Sequence, residues 1–506
     1  MLKHPKLSYL QIVFLILLIS LFLRFYNLPN SFVFAGDEEY QAILAQSIVK
    51  DFHIIWVGVN AAHTGFYLGP YWAYFTAFWL AIAKGDPLIT GYISSAIGVL
   101  TTLLIILTGA TLFSKKAGLM AGLLYATLPL MVFFDQKYWN PTPIPFLSLL
   151  MLISLSQLKK NPNWAILFAA GYGLVFHTHL SLIPIIFVAI FWIVKEKIKL
   201  PQKTVLLSLT AFLLMIAPLI AFDYFHKGSN LTTPLRFAEI TSDYRNNINP
   251  LHHFRAFFQT MGRIYYLAPF GNNSDEVITS CTNASRINNP PVDGISKRFT
   301  PPVWLSFLGL GILIIFLLQR KTWQSANTRL LSLFLLSIII FFLLFPGGAF
   351  EYYLLGIFPL LLFIPGILAT YFPKLKILIT GAVLILSILG VYSIITNNPQ
   401  FGYGAKKSLI KQTANIIGNQ PFELKQTGLC HFYEGWRYLF VLNGKKPERS
   451  ESDEGLGWLY PEEITQNPVK LEIILSEERA GVNFATSGAR VLKSGGFSAY
   501  IFEKNL

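Results

Sequence analysis

Three consecutive carboxyl groups, Asp37-Glu38-Glu39, follow the first apolar run of the chain at residues 8–28. Acid groups are therefore delivered to one face of a membrane by a chain otherwise suited to hydrocarbon. Carboxylates there are costly unless solvated or used. A protein acting on a lipid-linked substrate needs such a group where the headgroup emerges, as a general base that takes the proton of an attacking hydroxyl. The same tripeptide also reads as a solvated helix start, with Asp37 as the cap and Glu38 and Glu39 in the first turn. The two readings are compatible.

Other chemistry-bearing residues are sparse. Arg24, near the end of the first run, can pair with Asp37, Glu38 or a headgroup, or snorkel alone. His177-Thr178-His179 interrupts the apolar stretch 164–194, which is too long for one span and reads as two helices meeting at a tight polar turn. Two histidines so close either hydrogen-bond in the core or serve a site. The two cysteines, Cys281 and Cys430, have no zinc or redox spacing. They fall in segments expected on one oxidising side, where they either pair or stay as separate buried thiols. A divalent metal on His53 or His63 with Asp37 has no ligand spacing behind it, and no cofactor is otherwise called for.

Composition fixes what must position these groups. With 506 residues, 53% hydrophobic, 13% charged and a mean hydropathy of +0.51, the chain is too apolar for a soluble globule of this length. The net charge of +14 falls largely in short clusters between apolar runs: Lys3 and Lys6, Lys159 and Lys160, Lys195 to Lys203, Arg320 and Lys321, Lys374 and Lys376. These are topology signals retained on the cytoplasmic side, not a nucleic-acid surface.

Apolar stretches lie at 8–28, 66–83, 88–113, 117–134, 143–158, 164–194, 204–222, 302–319, 329–346, 352–371 and 377–395, most near the ~20 residues a helix needs to cross hydrocarbon. Splitting 164–194 gives twelve candidates, which would place Lys195 to Lys203, Arg320 and Lys374 outside, against the charge rule. One candidate before residue 158 is therefore short or re-entrant, leaving eleven crossings. The stretch Asn140-Pro-Thr-Pro-Ile-Pro145 is one place where a helix breaks. Val33-Phe-Ala35 has signal-peptidase spacing, but the apolar core before it exceeds the roughly 7–15 residues of a secretory signal, so an uncleaved anchor is expected.

The expected architecture is an all-α polytopic membrane domain at 1–395, with outer loops at 29–65 and 223–301, and a small extracytoplasmic α/β domain at 396–506. The second loop holds an amphipathic helix signal at 251–258. The tail has a helix signal at 405–417, strand signals at 471–475 and 499–502, and turns at Asn443-Gly444 and Gly495-Gly496.

The order Arg24-Phe-Tyr-Asn-Leu, Gly36-Asp-Glu-Glu-Tyr40, Gly69-Pro-Tyr-Trp-Ala-Tyr74, Tyr138-Trp-Asn-Pro141 and Glu351-Tyr-Tyr353 ahead of Pro359 resembles the GT-C membrane glycosyltransferases. Within them it is most similar to the protein O-mannosyltransferase and aminoarabinose transferase branch, over roughly residues 8–395. The resemblance implies the GT-C fold with 11–12 spans and transfer of a sugar, with inversion, from a polyprenyl-phosphate carrier to a protein, lipid or glycan acceptor at the outer face of the cell membrane. It also implies that the acid opening the first outer loop, Asp37, is the general base, with Glu38 as runner-up. The lipid-phosphate leaving group needs cationic or hydrogen-bonding stabilisation.

The chain departs from these relatives at two places. Gly69-Pro70 stands where the aminoarabinose branch has Lys-Pro, and Gln136-Lys137 followed by Asn140 stands where the relatives have Ser-Arg and a downstream Asp. Lys137 then either serves the phosphate or snorkels, and Asn140 either bonds a sugar or starts a helix. The resemblance places His177 and His179 at a turn facing the cavity. It gives one of Tyr352 and Tyr353 a contact to the carrier phosphate, although an aromatic belt would hold tyrosines there as well.

A transporter or flippase of lipid-linked sugars would also want outer carboxylates, but internal repeats and mid-membrane charges are not evident. A scaffold role for the tail leaves the acidic loop without a purpose.

Overall fold

The computed structural model describes residues 8–61, 65–233, 250–267, 301–345, 349–427, 435–450, 468–478 and 484–504. Ser8 opens the first helix, Tyr9–Phe25, in a capping box with Gln11 that satisfies two backbone donors reciprocally. Five helices are long and apolar enough to cross a membrane: Leu88–Leu112, Gln202–Phe225, Ala326–Leu344, Glu351–Tyr371 and Pro373–Thr396. Lys115–Thr127 and Pro129–Gln136 make a sixth span bent by 65°. The bend falls at Leu128, which Pro129 forces out of helical geometry. Tyr9–Phe25, Ile144–Gln157, Trp164–Val175, Leu180–Lys195 and Val303–Leu318 are shorter apolar helices.

Contacts among helix ends sort them onto two sides. On one side Lys115 lies 5.0 Å over the Tyr9 ring, Asn327 donates to the Leu112 carbonyl, and Glu196 pairs with both Lys159 and Arg329. This side gathers the described basic clusters. On the other side Tyr26 donates to the Ile395 carbonyl, Lys137 meets Glu38, and the Asn230 side chain bonds both backbone groups of Tyr67. Counting the bent pair as one, these six long spans and five shorter apolar helices make eleven described segments, the number that the basic clusters call for.

Tyr71–Ile82 is the candidate that does not cross. Just before it, Gly69 donates to the Phe176 carbonyl; just after it, the Gly85 carbonyl accepts from the Tyr438 hydroxyl; and both partners belong to the side away from the basic clusters. The Asn140–Pro145 stretch does interrupt a helix, but it joins two spans rather than forming a re-entrant piece. The 164–194 stretch folds as two antiparallel helices, because Lys159 and Glu196 meet at their far ends and leave His177-Thr178-His179 at the turn.

The tail forms a five-stranded sheet from β1 (Phe422–Thr427), β2 (Arg449–Ser450), β3 (Leu471–Glu477), β4 (Arg490–Ser494) and β5 (Phe497–Glu503), in the order β2-β1-β3-β5-β4. β1 runs parallel to β2 and β3, while β5 is antiparallel to β3 and β4. Helices Tyr403–Ile417 and Trp436–Leu442 pack with it, and its apolar core is continuous with Phe32, Phe34 and Ala42 of the membrane portion. Phe34 is buried against Tyr403 and Tyr438, so the Val33-Phe-Ala35 segment lies under the tail. Helix Pro250–Arg263 contains the expected amphipathic segment. Cys281, Cys430 and most of the loop 223–301 lie outside the described residues.

Candidate functional site

Helix Gly36–Asp51 starts two residues earlier than a cap at Asp37 would give. Ala35 is its N-cap, and the Glu38 carboxylate reaches back to the Ala35 N–H at 3.3 Å, so Glu38, not Asp37, does the capping. Successive helix positions point about 100° apart, which separates the three acids. Glu38 is buried and its Oε1 lies 2.7 Å from Lys137 Nζ. Burial pushes the Glu38 carboxyl up to about 7, against the pull of the Lys137 ammonium. Glu39, also buried, accepts from the backbone N–H groups of Gly435 and Tyr438 at 3.0 and 3.4 Å, and so caps the tail helix Trp436–Leu442. Asp37 faces solvent, and its charge reaches Glu38 and the Tyr352 hydroxyl.

The segment between the bent span and Ile144–Gln157 supplies the opposite wall. Ser94 and Thr142 donate to the Lys137 carbonyl, and Tyr138 is pinned by Thr76 at 2.6 Å and stacked on Trp72. Thus fixed, the segment aims the Lys137 ammonium 4.6 Å over the Trp139 ring and places Asn140 against Gln41. Trp139 in turn packs on Tyr352 at 4.6 Å, while His179 lies 5.5 and 4.9 Å from the rings of Tyr352 and Tyr353. Those tyrosines open the span Glu351–Tyr371, whose first residue forms a buried ion pair with Arg263 at 2.9 Å. Asp37, Glu38, Lys137, Asn140, His179, Tyr352 and Tyr353 therefore share one neighbourhood. Its polar members could bind a phosphate and a hydroxyl-bearing ligand, with an accessible carboxylate beside them.

Two expected residues do something else. Arg24 does not pair with Asp37, Glu38 or a headgroup. It is fully buried, and its guanidinium binds Asp135 through Nε at 2.8 Å and Nη2 at 2.7 Å and donates to the carbonyls of Ser20, Tyr125 and Ala126. All five of its donors are used. A Cβ at Gly98 would stand 2.4 Å from Asp135, so that glycine makes room for the pair.

His177 is likewise committed to backbone: Nδ1 accepts from the Tyr71 N–H at 3.2 Å, and Nε2 lies 2.6 Å from the Met215 carbonyl. Its ring stacks on Tyr71 at 4.2 Å and would lie 2.1 Å from a Cβ at position 69, so a lysine in place of Gly69 has no room. This gives the Gly69-Pro70 departure a physical reason and removes His177 from a cavity-facing role.

Sequence reading passed over Asp135 and Gln41, and it gave Glu39 only a place in the first helical turn, not its contact to the tail. An acid in a membrane span is itself a signal of a specific partner, which Asp135 offered; Gln41 offered none. Among the described residues no group of three or more His, Cys, Asp or Glu is placed to hold a metal ion. His53 is exposed, and His63 lies outside the described residues.

A family profile described as dolichyl-phosphate-mannose-protein mannosyltransferase matches residues 68–222. No curated protein sequence matches the chain. ArnT from Cupriavidus metallidurans, solved bound to undecaprenyl phosphate, superimposes with a TM-score of 0.55 at 11% identity, covering 97% of each chain. The apo oligosaccharyltransferase of Archaeoglobus fulgidus superimposes at 0.52 with 14% identity, over 94% of this chain and 70% of that one. The chain has the GT-C fold. The profile match spans Lys137, Asn140 and both histidines but stops short of the acidic tripeptide and of Tyr352 and Tyr353. With the GT-C fold it supports lipid-phosphate-sugar-dependent glycosyl transfer by an integral membrane protein in general.

Proposed function

We propose that the protein is an inverting glycosyltransferase that moves a sugar from a polyprenyl-phosphate carrier to a hydroxyl acceptor at the outer membrane face, with Asp37 as general base. The observation that carries this reading is the division of labour on one helix turn: Glu38 and Glu39 are buried and engaged, while Asp37 stands exposed beside the cluster of Lys137, His179, Tyr352 and Tyr353.

In this mechanism Asp37 takes the acceptor's proton as its oxygen bonds to the anomeric carbon. The bond from that carbon to the phosphate oxygen breaks, and its electron pair leaves with the polyprenyl phosphate. Lys137 and the Tyr352 and Tyr353 hydroxyls stabilise the charge that builds on that phosphate. Attack from the face opposite the phosphate inverts the anomeric centre.

The side bearing the basic clusters is taken as cytoplasmic, which puts Asp37, the loop 223–301 and the domain at 396–506 outside, in the cell envelope. ArnT, which shares the fold, was solved with undecaprenyl phosphate, and this supports a polyprenyl-phosphate carrier. Protein, lipid and glycan hydroxyls are all chemically competent acceptors.

The test uses purified protein with radiolabelled polyprenyl-phosphate sugars. A transferase releases free polyprenyl phosphate when an acceptor is present. A flippase of the same lipid returns it intact, and that result would refute the reading.

A further inference from the structure

Beside the Asp37 cluster, two buried polar atoms have no partner among the described residues: Gln41 Oε1 and Trp139 Nε1. Their side chains are more than nine-tenths buried, at 2% and 7% exposure. Such groups are costly to leave unpaired, and at a binding site the ligand completes them. Gln41 lies one helical turn beyond Asp37 and faces the same way. Its amide is hydrogen-bonded to the amide of Asn140. In an N–H···O bond between two amides, whichever of them donates, the pair still presents the other carbonyl oxygen and the other NH₂ group. Trp139, adjacent in sequence, adds an N–H donor and an aromatic face packed on Tyr352.

Neighbouring sugar hydroxyls match this pattern, since one can donate to the amide oxygen while the next accepts from an N–H. None of the three side chains is charged. The nearest buried acids are already engaged, Glu38 by Lys137 and Glu39 by the tail. Resting on the transferase reading above, we propose that Gln41, Asn140 and Trp139 form the subsite for the donor's sugar and bind two of its neighbouring hydroxyls.

The test compares wild type with Gln41→Met and Asn140→Ser, all purified in detergent. Binding is measured for a polyprenyl-phosphate hexose and for polyprenyl phosphate without sugar. The expected result in at least one variant is a roughly tenfold loss for the sugar-linked carrier, about one hydrogen bond's worth, with the sugar-free carrier little changed. A variant that merely unfolds loses both ligands together. If both variants lose the two ligands equally, or neither variant loses either, the subsite is overturned. Failure of wild type to bind any sugar-linked carrier would instead remove the transferase reading on which the subsite rests.

Discussion

Lys137 and Glu38 form an ion pair 2.7 Å long, with the carboxylate buried, that ties the acidic helix to the segment between two spans. The cation proposed to meet the carrier phosphate is thus held in place by a carboxyl whose affinity for protons burial has raised to about 7. That gives a pH dependence with a definite sign. The native Glu38 value lies above the ordinary 4.5, so between about pH 4.5 and 7 the native state holds more proton than the unfolded chain. Stability from this group is fully present below that window and is lost as pH rises through it. The thermal midpoint of wild type minus that of Glu38→Gln, measured in detergent from pH 4.5 to 8, should fall with rising pH. A flat or rising difference would contradict the assignment.

The Arg24–Asp135 pair is structural in this account. Removing one partner strands a buried charge and should cost about 3–5 kcal/mol, whereas replacing both with apolar residues costs less. Thermal unfolding of Asp135→Leu, Arg24→Met and the double variant measures this. A single Arg24→Met variant with normal stability but weakened carrier binding would return Arg24 to the carrier site.

Glu39 couples the tail to the helix that bears Asp37. Glu39→Ala leaves the Gly435 and Tyr438 N–H groups without that acceptor, a cost of about 1–3 kcal/mol. Limited proteolysis should cut the connection near Asn397–Gln400 faster than in wild type. Unchanged cleavage would mean that the shared core around Phe34 holds the tail without Glu39.

Topology is tested by single cysteines in a cysteine-free background, labelled with a membrane-impermeant reagent. Phe52→Cys and Lys84→Cys, both at exposed positions, should label from the same side, because Tyr71–Ile82 does not cross. Reporters after residues 50, 270 and 506 should lie outside, and those after 200, 325 and 375 inside, following the basic loops. Labelling of positions 52 and 84 from opposite sides would sink the eleven-span arrangement.

The spans were legible because hydrocarbon selects for length and apolarity, which sequence records directly. The hairpin at His177-Thr178-His179 was legible for the same reason, since 164–194 exceeds one span. Tyr71–Ile82 was not singled out, because its composition resembles a span and its fate is set by contacts to Phe176 and Tyr438 far along the chain. Arg24 was noticed but matched to the acids nearest in sequence, when its partner lies 111 residues away. The cap was misplaced because sequence shows acids near a helix start but not which one turns back to the backbone. Gln41 has no signature at all: a neutral amide in a helix becomes a candidate only when Asn140 is seen against it.

The most direct test of the central claim is single-turnover sugar transfer by Asp37→Asn, with carrier binding measured in parallel. Asparagine keeps the shape and hydrogen bonding of Asp37 but cannot take a proton at neutral pH. Transfer should therefore fall by about 10² to 10⁴ while carrier binding stays intact, and Glu38→Gln should cost less. Full transfer by Asp37→Asn would contradict the account, and a loss confined to carrier binding would make Asp37 an organiser of the headgroup rather than the base.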